Sequence, residues 1–597
     1  MFKRWCKENA ISKNLFAKHL LPPASDRGYW KNILSAEYIA LADEQMNTEW
    51  PLIRATQYME FQKSGNRNAQ ENPFFARRKK LRALVLGELA QYEGRFLPEI
   101  CDGIFLLCEE SFWGLSAHMA YAGNSHFLPS FTDHYIDLFA AETAALLAVI
   151  YSLFYDEIKA FCPEILSRLE YEIRCRIVTP YLSHKDYWWM GYEKAPNNWN
   201  PWIISNLLTV FLIMPIDETL FRNGLEKMFV EIEHYYVGLP EDGGCDEGSN
   251  YWAKAGAKLF FFCNQLFIAS GGNVNLFGDK KLYNIIHYII KAHISGNYFV
   301  NFADGSARVN SVSPAIYGFG LRTGDKDFCR FAATLTKNLD QALVLSSNDS
   351  LYEQLSSLSY AKAMEAEEAF QSQKTYVLPD LQVAFLRSGS WFCATKGGHN
   401  KESHNHNDVG NIIVYEGDSP VLIDVGCGVY TRFTFSPEHR YEIWTMQSGY
   451  HNLPVLNGIE QHVGKDYCAD SFRSEGKTAE VSFAAAYPQE AGVLSAVRKV
   501  HVGDDGITMT DTFTFSGDKN TFREHFLTLL PVRETPQGLI LGEKYLLETE
   551  LPTNIQWKDF EKDQNLVSAW GTEGVYRIEL FGDCGQSEQV TIKLRSL

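Results

Sequence analysis

The segment Glu402-Ser-His-Asn-His-Asn-Asp408 concentrates residue types that move protons and hold metals. Two histidines at i and i+2 stand among polar residues, just ahead of an apolar, strand-like run. In an extended chain that spacing puts both rings on one face and Asn405 on the other. A bend in the loop would separate them, leaving one histidine to hold a metal and the other to reach a cleft. Asp424, in Val421-Leu-Ile-Asp-Val-Gly426, and His451, in Gly449-Tyr-His-Asn452, add an oxygen and a nitrogen donor. With His406 they make an N, O, N set with one open or water position, which suits zinc. The spacing is not that of a compact zinc motif. Taken singly, Asp424 also reads as a turn former and His451 as a loop cap.

Three segments of the first half carry further candidates. Ala195-Pro-Asn-Asn-Trp-Asn-Pro-Trp202 opens a helix. The amides of Asn197 and Asn198 can donate to a carboxylate, and Trp199 can stack on a sugar ring. The same residues also read as an N-cap followed by proline. Asp242-Gly-Gly-Cys-Asp-Glu-Gly-Ser-Asn-Tyr-Trp252 joins a glycine-rich loop to a helix. Tyr251 there is either a proton donor or acceptor, or an ordinary aromatic anchor. Cys108-Glu-Glu-Ser-Phe-Trp-Gly-Leu-Ser-Ala-His118 sets Trp113 and His118 around a glycine bend, to line a cleft or to pack. There is no Walker loop, no G-x-S-x-G and no H-E-x-x-H.

The elements that must position these residues change period along the chain. From about residue 30 to 365 the pattern is helical, with helices predicted over Phe131–Ile158, Trp202–Met214, Leu225–Val237 and Ala253–Ala269. Glycine, proline and asparagine breaks separate them. Helical hairpins in a ring or solenoid follow, although no fixed-period repeat is present. After about residue 375, Leu381–Arg387, Asn411–Tyr415, Val421–Val425, Ile507–Phe515 and Val590–Leu594 read as strands. The expected fold is therefore multidomain, α then β, with domains 1–370 and 371–597 and a helix running into a linker near Ser356–Lys374.

Composition narrows the function classes. With 55 Lys+Arg against 73 Asp+Glu, the 597 residues carry a formal net charge of −18. That argues against a nucleic-acid partner, yet a local basic cleft can still attract an acidic chain. The basic run Arg77-Arg-Lys-Lys80 reads as a solvated helix face, or as such an attraction. The 12 cysteines show no C-x-x-C pair, which suits a reducing cytosol. The N-terminus has no apolar h-region, so a cytoplasmic location is expected, or a periplasmic or secreted one if a leader was removed. The longest apolar stretch, Thr143–Tyr155, is too short to span a bilayer and reads as a core helix, so no membrane partner is expected.

Taken together, several of these motifs resemble the heparinase II/III-type polysaccharide lyases. Phe385-Leu-Arg-Ser-Gly, Gly397-Gly-His-Asn-Lys-Glu-Ser-His-Asn-His-Asn-Asp-Val-Gly410, Pro420-Val-Leu-Ile-Asp-Val-Gly426 and His451-Asn resemble that family's β-domain core. Asn197-Asn-Trp-Asn-Pro, Glu247-Gly-Ser-Asn-Tyr-Trp and Glu109-Glu-Ser-Phe-Trp-Gly-Leu-Ser-Ala-His resemble its helical motifs, in order over roughly residues 75–460. The resemblance implies an N-terminal incomplete (α/α) toroid, a C-terminal antiparallel β-sandwich, and β-elimination at a uronic acid. Its expected substrates are glycosaminoglycans (hyaluronan, chondroitin sulfate, heparan sulfate), with alginate or oligoalginate as the alternative. It implies Asn198 on the uronate carboxylate, Tyr251 as base, acid or both, and His404 as their partner. It also implies His406, Asp424 and His451 as ligands of a largely structural Zn²⁺. Trp113, His118, Asn197, Trp199, Glu247 and Arg440 are the expected substrate contacts. Trp199 stands where some relatives carry histidine, which shifts weight to Asn198 and His404. Two competing expectations are a glycoside hydrolase using Glu247 and Asp246, and a non-catalytic binder of uronate glycans. The oligomeric state is open, a homodimer included.

Overall fold

The computed structural model describes residues 1–122, 127–309, 314–337, 350–370, 374–431, 433–434, 436 and 438–597. The chain forms two compact units. The first comprises residues 1–239, 254–282 and 311–369, the second 240–253, 283–310 and 370–597. One junction between the units falls between residues 369 and 370. In addition, two stretches of the helical half belong to the β-rich unit.

The first unit is helical. Leu138–Leu153 is rich in alanine and leucine and is buried on nearly all sides. It packs against Trp199–Ile213, which in turn packs against Gly256–Ala269 and Glu218–Gly238. Gly224 lets the last of these approach closely, since a Cβ there would sit 2.0 Å from the Phe211 ring. The helix expected from Phe131 begins only at Leu138 and breaks at Phe154. Asp137 is the reason for the start: its carboxylate accepts the N–H groups of Phe139 and Ala140 as an N-cap. The helix expected from Trp202 starts earlier, at Trp199, with Pro201 tolerated in its first turn. The basic run is not a solvated face. Arg77 and Arg78 are buried on Glu110 (3.1 and 2.7 Å), and Lys80 reaches Glu99 at 2.7 Å.

Among the described residues, three larger antiparallel sheets and two two-stranded pairs build the second unit. Tyr376–Leu378, Val383–Ser388, Trp391–Lys396, Ile412–Glu416 and Ser419–Leu422 form a five-stranded meander. An eight-stranded sheet has Val493–Val502, Gly506–Phe515 and Ser587–Ser596 as its central neighbours. A four-stranded sheet contains Asn520–Thr528 paired with Gly574–Cys584. Leu386 and Val414 from the first sheet, Phe513 and Ile592 from the second, and Phe526 and Ile578 from the third share one apolar core. The strand expected to reach Val425 ends at Leu422. Beyond it, Ile423 N–H turns to the Leu527 carbonyl, which releases Asp424 from the ladder.

The two inserted stretches are tied to this unit by polar contacts. The Asp242 carboxylate accepts the N–H of Asp380 and Leu381 at 2.7 and 3.2 Å. Ser249 donates to the Val300 carbonyl, Trp252 to that of Ile285, and Asn301 to that of Asp424.

Candidate active site and metal centre

The loop Glu402–Asp408 is clamped at both ends by one buried lysine. Lys396 donates to Glu402 at 3.1 Å and to Asp408 at 2.8 Å. Between these ends the chain bends at His404, whose φ of +57° lies in the left-handed region that non-glycine residues seldom occupy. The bend separates the two histidines, leaving His404 partly exposed and His406 fully buried.

Both rings nevertheless rest on a single carboxylate from residue 304. His404 Nδ1 lies 2.8 Å from Asp304 Oδ2, and His406 Nε2 lies 3.1 Å from Oδ1. Arg440 Nη2 adds a contact to Oδ1 at 2.7 Å. Burial opposes the charge of Asp304, but the hydrogen bonds from His404 and His406 and the positive charge of Arg440 hold its carboxyl well below the usual range. An ionised carboxylate only accepts, so His404 Nδ1 and His406 Nε2 must carry hydrogens. In the neutral tautomers this leaves the lone pair of His404 on Nε2 and that of His406 on Nδ1.

That lone pair decides the metal question. His406 Nδ1 and His451 Nε2 are buried and have no hydrogen-bond partner, an expensive state for a polar atom. Asp424 completes the group, its donor atom and those of the two histidines lying within 4.8 Å of one another. Among the described residues this is the one such cluster. Gly426 N–H and Asn411 Nδ2 hold the two Asp424 oxygens at 2.8 Å each. Burial works against the Asp424 charge, yet His451 and His406 keep its carboxyl below the ordinary range. An N, O, N set with two orphaned ring nitrogens fits a divalent cation.

Tyr251 approaches the same place from the inserted stretch. Gly248, with φ +85°, turns the chain where a Cβ would meet the Phe302 carbonyl at 2.8 Å. The short helix Ser249–Trp252 follows, and Tyr251 lays its ring on His404 with centroids 4.4 Å apart. Its hydroxyl lies 2.5 Å from that of Tyr430, which is 3.3 Å from Asp304 Oδ2. Burial pushes the Tyr251 phenol up, the bond with Tyr430 opposes this, and Asp304 and Glu247 reinforce it. Asp246 Oδ2 accepts the Ser403 N–H at 3.3 Å, and Glu247 is buried.

The helical unit places its own candidates around the start of Trp199–Ile213. Asn197 accepts the Trp199 N–H at 3.0 Å, and Asn198 is the buried residue preceding the helix. Asn200 fixes this turn by donating to the Trp189 and Glu231 carbonyls. Trp199 is half-buried against His118, at 4.7 Å between ring centroids. His118 is held by Asp137 at 2.8 Å. Trp113 differs from expectation: it is buried, donates to the Leu107 carbonyl and faces Arg176, so it is a core residue. Arg440 differs likewise. Its guanidinium is spent on Asp304 and on the Thr434 and Asn405 carbonyls, so it braces the loop and does not reach for substrate.

Asp304 and Tyr430 were not expected from the sequence. Asp304 sits in Asn301-Phe-Ala-Asp-Gly305, which reads as a turn. Tyr430 closes Val425-Gly-Cys-Gly-Val-Tyr430, a glycine-broken stretch after Asp424 that does not continue as a strand. If Asp304 orients both histidines, Asp304→Asn should lower activity and metal content together, each by about 10–100-fold. Turnover and elemental analysis on the same preparation check this, and a change in neither would remove Asp304 from the site.

Residues 375–554 match the family described as heparinase II/III-like, C-terminal. No curated protein matches the sequence. Among solved structures the chain is similar to a heparinase III, at 11% identity and a TM-score of 0.65, with 97% of this chain and 87% of that one covered. A second heparinase III matches at 12% identity and a TM-score of 0.61, covering 98% and 94%. The heparan sulfate lyase HepC from Pedobacter heparinus matches at 11% identity and a TM-score of 0.57, covering 100% and 87%. At these identities the likeness is one of fold.

Proposed function

With a heparinase II/III-like C-terminal domain at residues 375–554 as the premise, we propose that the protein is a polysaccharide lyase. It cleaves uronic-acid-containing glycans, glycosaminoglycans first, by β-elimination, leaving a 4,5-unsaturated uronate. The helical unit is then the incomplete (α/α) toroid of that family. The observation that carries this is the pairing of Tyr251 with His404, ring on ring at 4.4 Å, on a loop braced by Asp304.

The chemistry needs a base at C5, an acid at O4 and a neutralised carboxylate. The C5 hydrogen is a poor acid, and removing it puts charge on the adjacent carboxylate. His404 Nε2, or the Tyr251 oxygen once it has given up its own hydrogen, takes that proton, depending on the C5 epimer. The C5–H electrons form the C4–C5 double bond, the C4–O4 bond breaks, and Tyr251 protonates O4. From the family resemblance, Asn198 is the donor to the carboxylate, with Asn197, Trp199, His118 and Glu247 as further candidates for substrate contact.

The test is to incubate the protein with hyaluronan, chondroitin sulfate, heparan sulfate and alginate. Ultraviolet absorbance of the new double bond is followed while reducing ends are counted. Absorbance rising with reducing ends is the expected result. Reducing ends without absorbance would overturn elimination in favour of hydrolysis by Glu247 and Asp246.

Zinc is the proposed ion at His406, Asp424 and His451, on the strength of its preference for such donors. When bound it would fix the loop that carries His404. We expect about one zinc per chain. A chelator should lower unfolding stability by about 3–4 kcal/mol, the linkage expected for an ion present at 100–1,000 times its Kd. Calorimetry with and without added zinc measures this without any substrate. A cytosolic site of action on imported oligosaccharides is also proposed, supported by twelve free thiols.

A further inference from the structure

The hydroxyl of Tyr430 stands between two acceptors, 2.5 Å from the Tyr251 oxygen and 3.3 Å from Asp304 Oδ2. A phenol carries one hydrogen, so the two bonds cannot both be donated by Tyr430. If Tyr430 donates to Asp304, Tyr251 must donate to Tyr430, and the Tyr251 hydrogen then points away from any substrate. If Tyr430 donates to Tyr251, the Tyr251 hydrogen is released to an external acceptor. The two arrangements differ by rotation of two hydroxyl groups, with no heavy atom displaced.

We infer that Tyr430 is a positioning residue that directs the hydrogen of Tyr251, donating to it whenever negative charge develops on the Tyr251 oxygen. This rests on the elimination chemistry proposed above. Tyr430 neither gains nor loses a proton; it supplies a bond that strengthens as Tyr251 surrenders its hydrogen to O4, or that steadies Tyr251 as a phenolate before it takes the C5 proton. The shorter of the two distances favours this partner, and bonds to a charged oxygen are the strong ones. His404, stacked on Tyr251, leaves the hydroxyl end of that ring to Tyr430.

The groups facing the Tyr251 hydroxyl are Tyr430, Asp304, Glu247 and Cys427, with His404 against its ring. Burial pushes the phenol up, the bond with Tyr430 lowers it, and Asp304, Glu247 and Cys427 raise it. Removing the Tyr430 hydroxyl removes the lowering influence. Tyr251 should then ionise at higher pH, and the limb of the activity profile that it governs should move the same way.

The experiment compares Tyr430→Phe with wild type. The expected result is a kcat about 10–100-fold lower, KM within about twofold, and the Tyr251 limb displaced to higher pH, a range set by one charge-assisted hydrogen bond. A loss of kcat with the limb unmoved would mean a structural role and overturn the inference, as would wild-type behaviour. A second measurement needs no substrate. Difluorotyrosine at position 251 is more acidic than tyrosine, and its phenolate absorbance can be titrated directly. Its midpoint should rise when Tyr430→Phe is added, and an unchanged midpoint overturns the inference. If Tyr430→Phe does not fold, fluorotyrosine at 430, a stronger donor of the same shape, should lower that midpoint; a midpoint that stays put rejects the inference. Should the wild type yield no unsaturated product from any glycan, the proposed function fails, while the titration still reports on the tyrosine pair.

Discussion

Tyr251→Phe should lower β-elimination by about 10⁴-fold, the upper range for losing a general acid–base group, while glycan binding and folding stay near wild type. The substitution removes one oxygen and keeps the ring that stacks on His404. It leaves no stranded donor, because Tyr430 retains Asp304 Oδ2 as an acceptor. The stability cost should therefore stay within about 1 kcal/mol, the net worth of an ordinary hydrogen bond. Initial rates of double-bond formation and isothermal binding on the same glycan separate the two effects. A variant retaining activity within tenfold of wild type would overturn the acid–base role proposed for Tyr251. Loss of binding along with rate would make Tyr251 a substrate anchor.

The largest stability effect should come from Arg498→Ala, far from any exposed surface. Arg498 and Asp511 are directly opposed on neighbouring strands. The guanidinium lies 2.5 Å from Asp511 and 3.0 Å from Glu524, all three side chains being fully buried. Its Nη1 donates to the carbonyls of Gly410 and Asn452, next to Asn411 and to His451 of the candidate metal cluster. Burial and the charge of Asp511 already push the Glu524 carboxyl up. Removing the arginine alone would leave two carboxylates facing each other in the core, at a cost of about 3–5 kcal/mol. The midpoint of thermal unfolding should fall on the order of 10 °C, with metal affinity falling alongside. Replacing all three charged residues by apolar ones of similar volume should recover most of the loss, since such swaps are often neutral. Calorimetry of the single and triple variants checks both statements. A single variant as stable as wild type would show that the cluster carries no net stabilisation.

Alternation made the β-rich half legible. In Ile507-Thr-Met-Thr-Asp-Thr-Phe-Thr-Phe515 every second residue points inward. The same pattern conceals Asp511, an inward charge that is tolerable only because Arg498 stands opposite on another strand. The Glu402–Asp408 loop and the His406, Asp424, His451 set stood out because histidines with nearby acids are uncommon. Asp304 did not, since its partners lie 100 and 102 positions away, and an Asp-Gly turn is its sufficient local explanation. Arg440 and the basic run at Arg77 lie deeper than the sequence suggests, while Trp113 takes the packing role that the sequence also allowed. Polar and amphipathic side chains look exposed in a sequence, and only a distant partner such as Asp304 or Glu110 shows that they are buried.

The discontinuous make-up of the β-rich unit also sets an order of events during synthesis. Tyr251 and Asp304 leave the ribosome long before their partners, Tyr430 following Tyr251 by 179 positions and His404 following Asp304 by 100. At about 5–20 residues per second the earlier pieces wait roughly 5–35 s for the sheets that complete them. When Tyr251 emerges, the helical unit is still short of its own later segments, 254–282 and 311–369. A nascent chain halted before residue 370 would hold Tyr251 and Asp304 without the loop they serve. Conversely, residues 370–597 expressed alone would lack both groups, and with them the Asn301 bond to the Asp424 carbonyl.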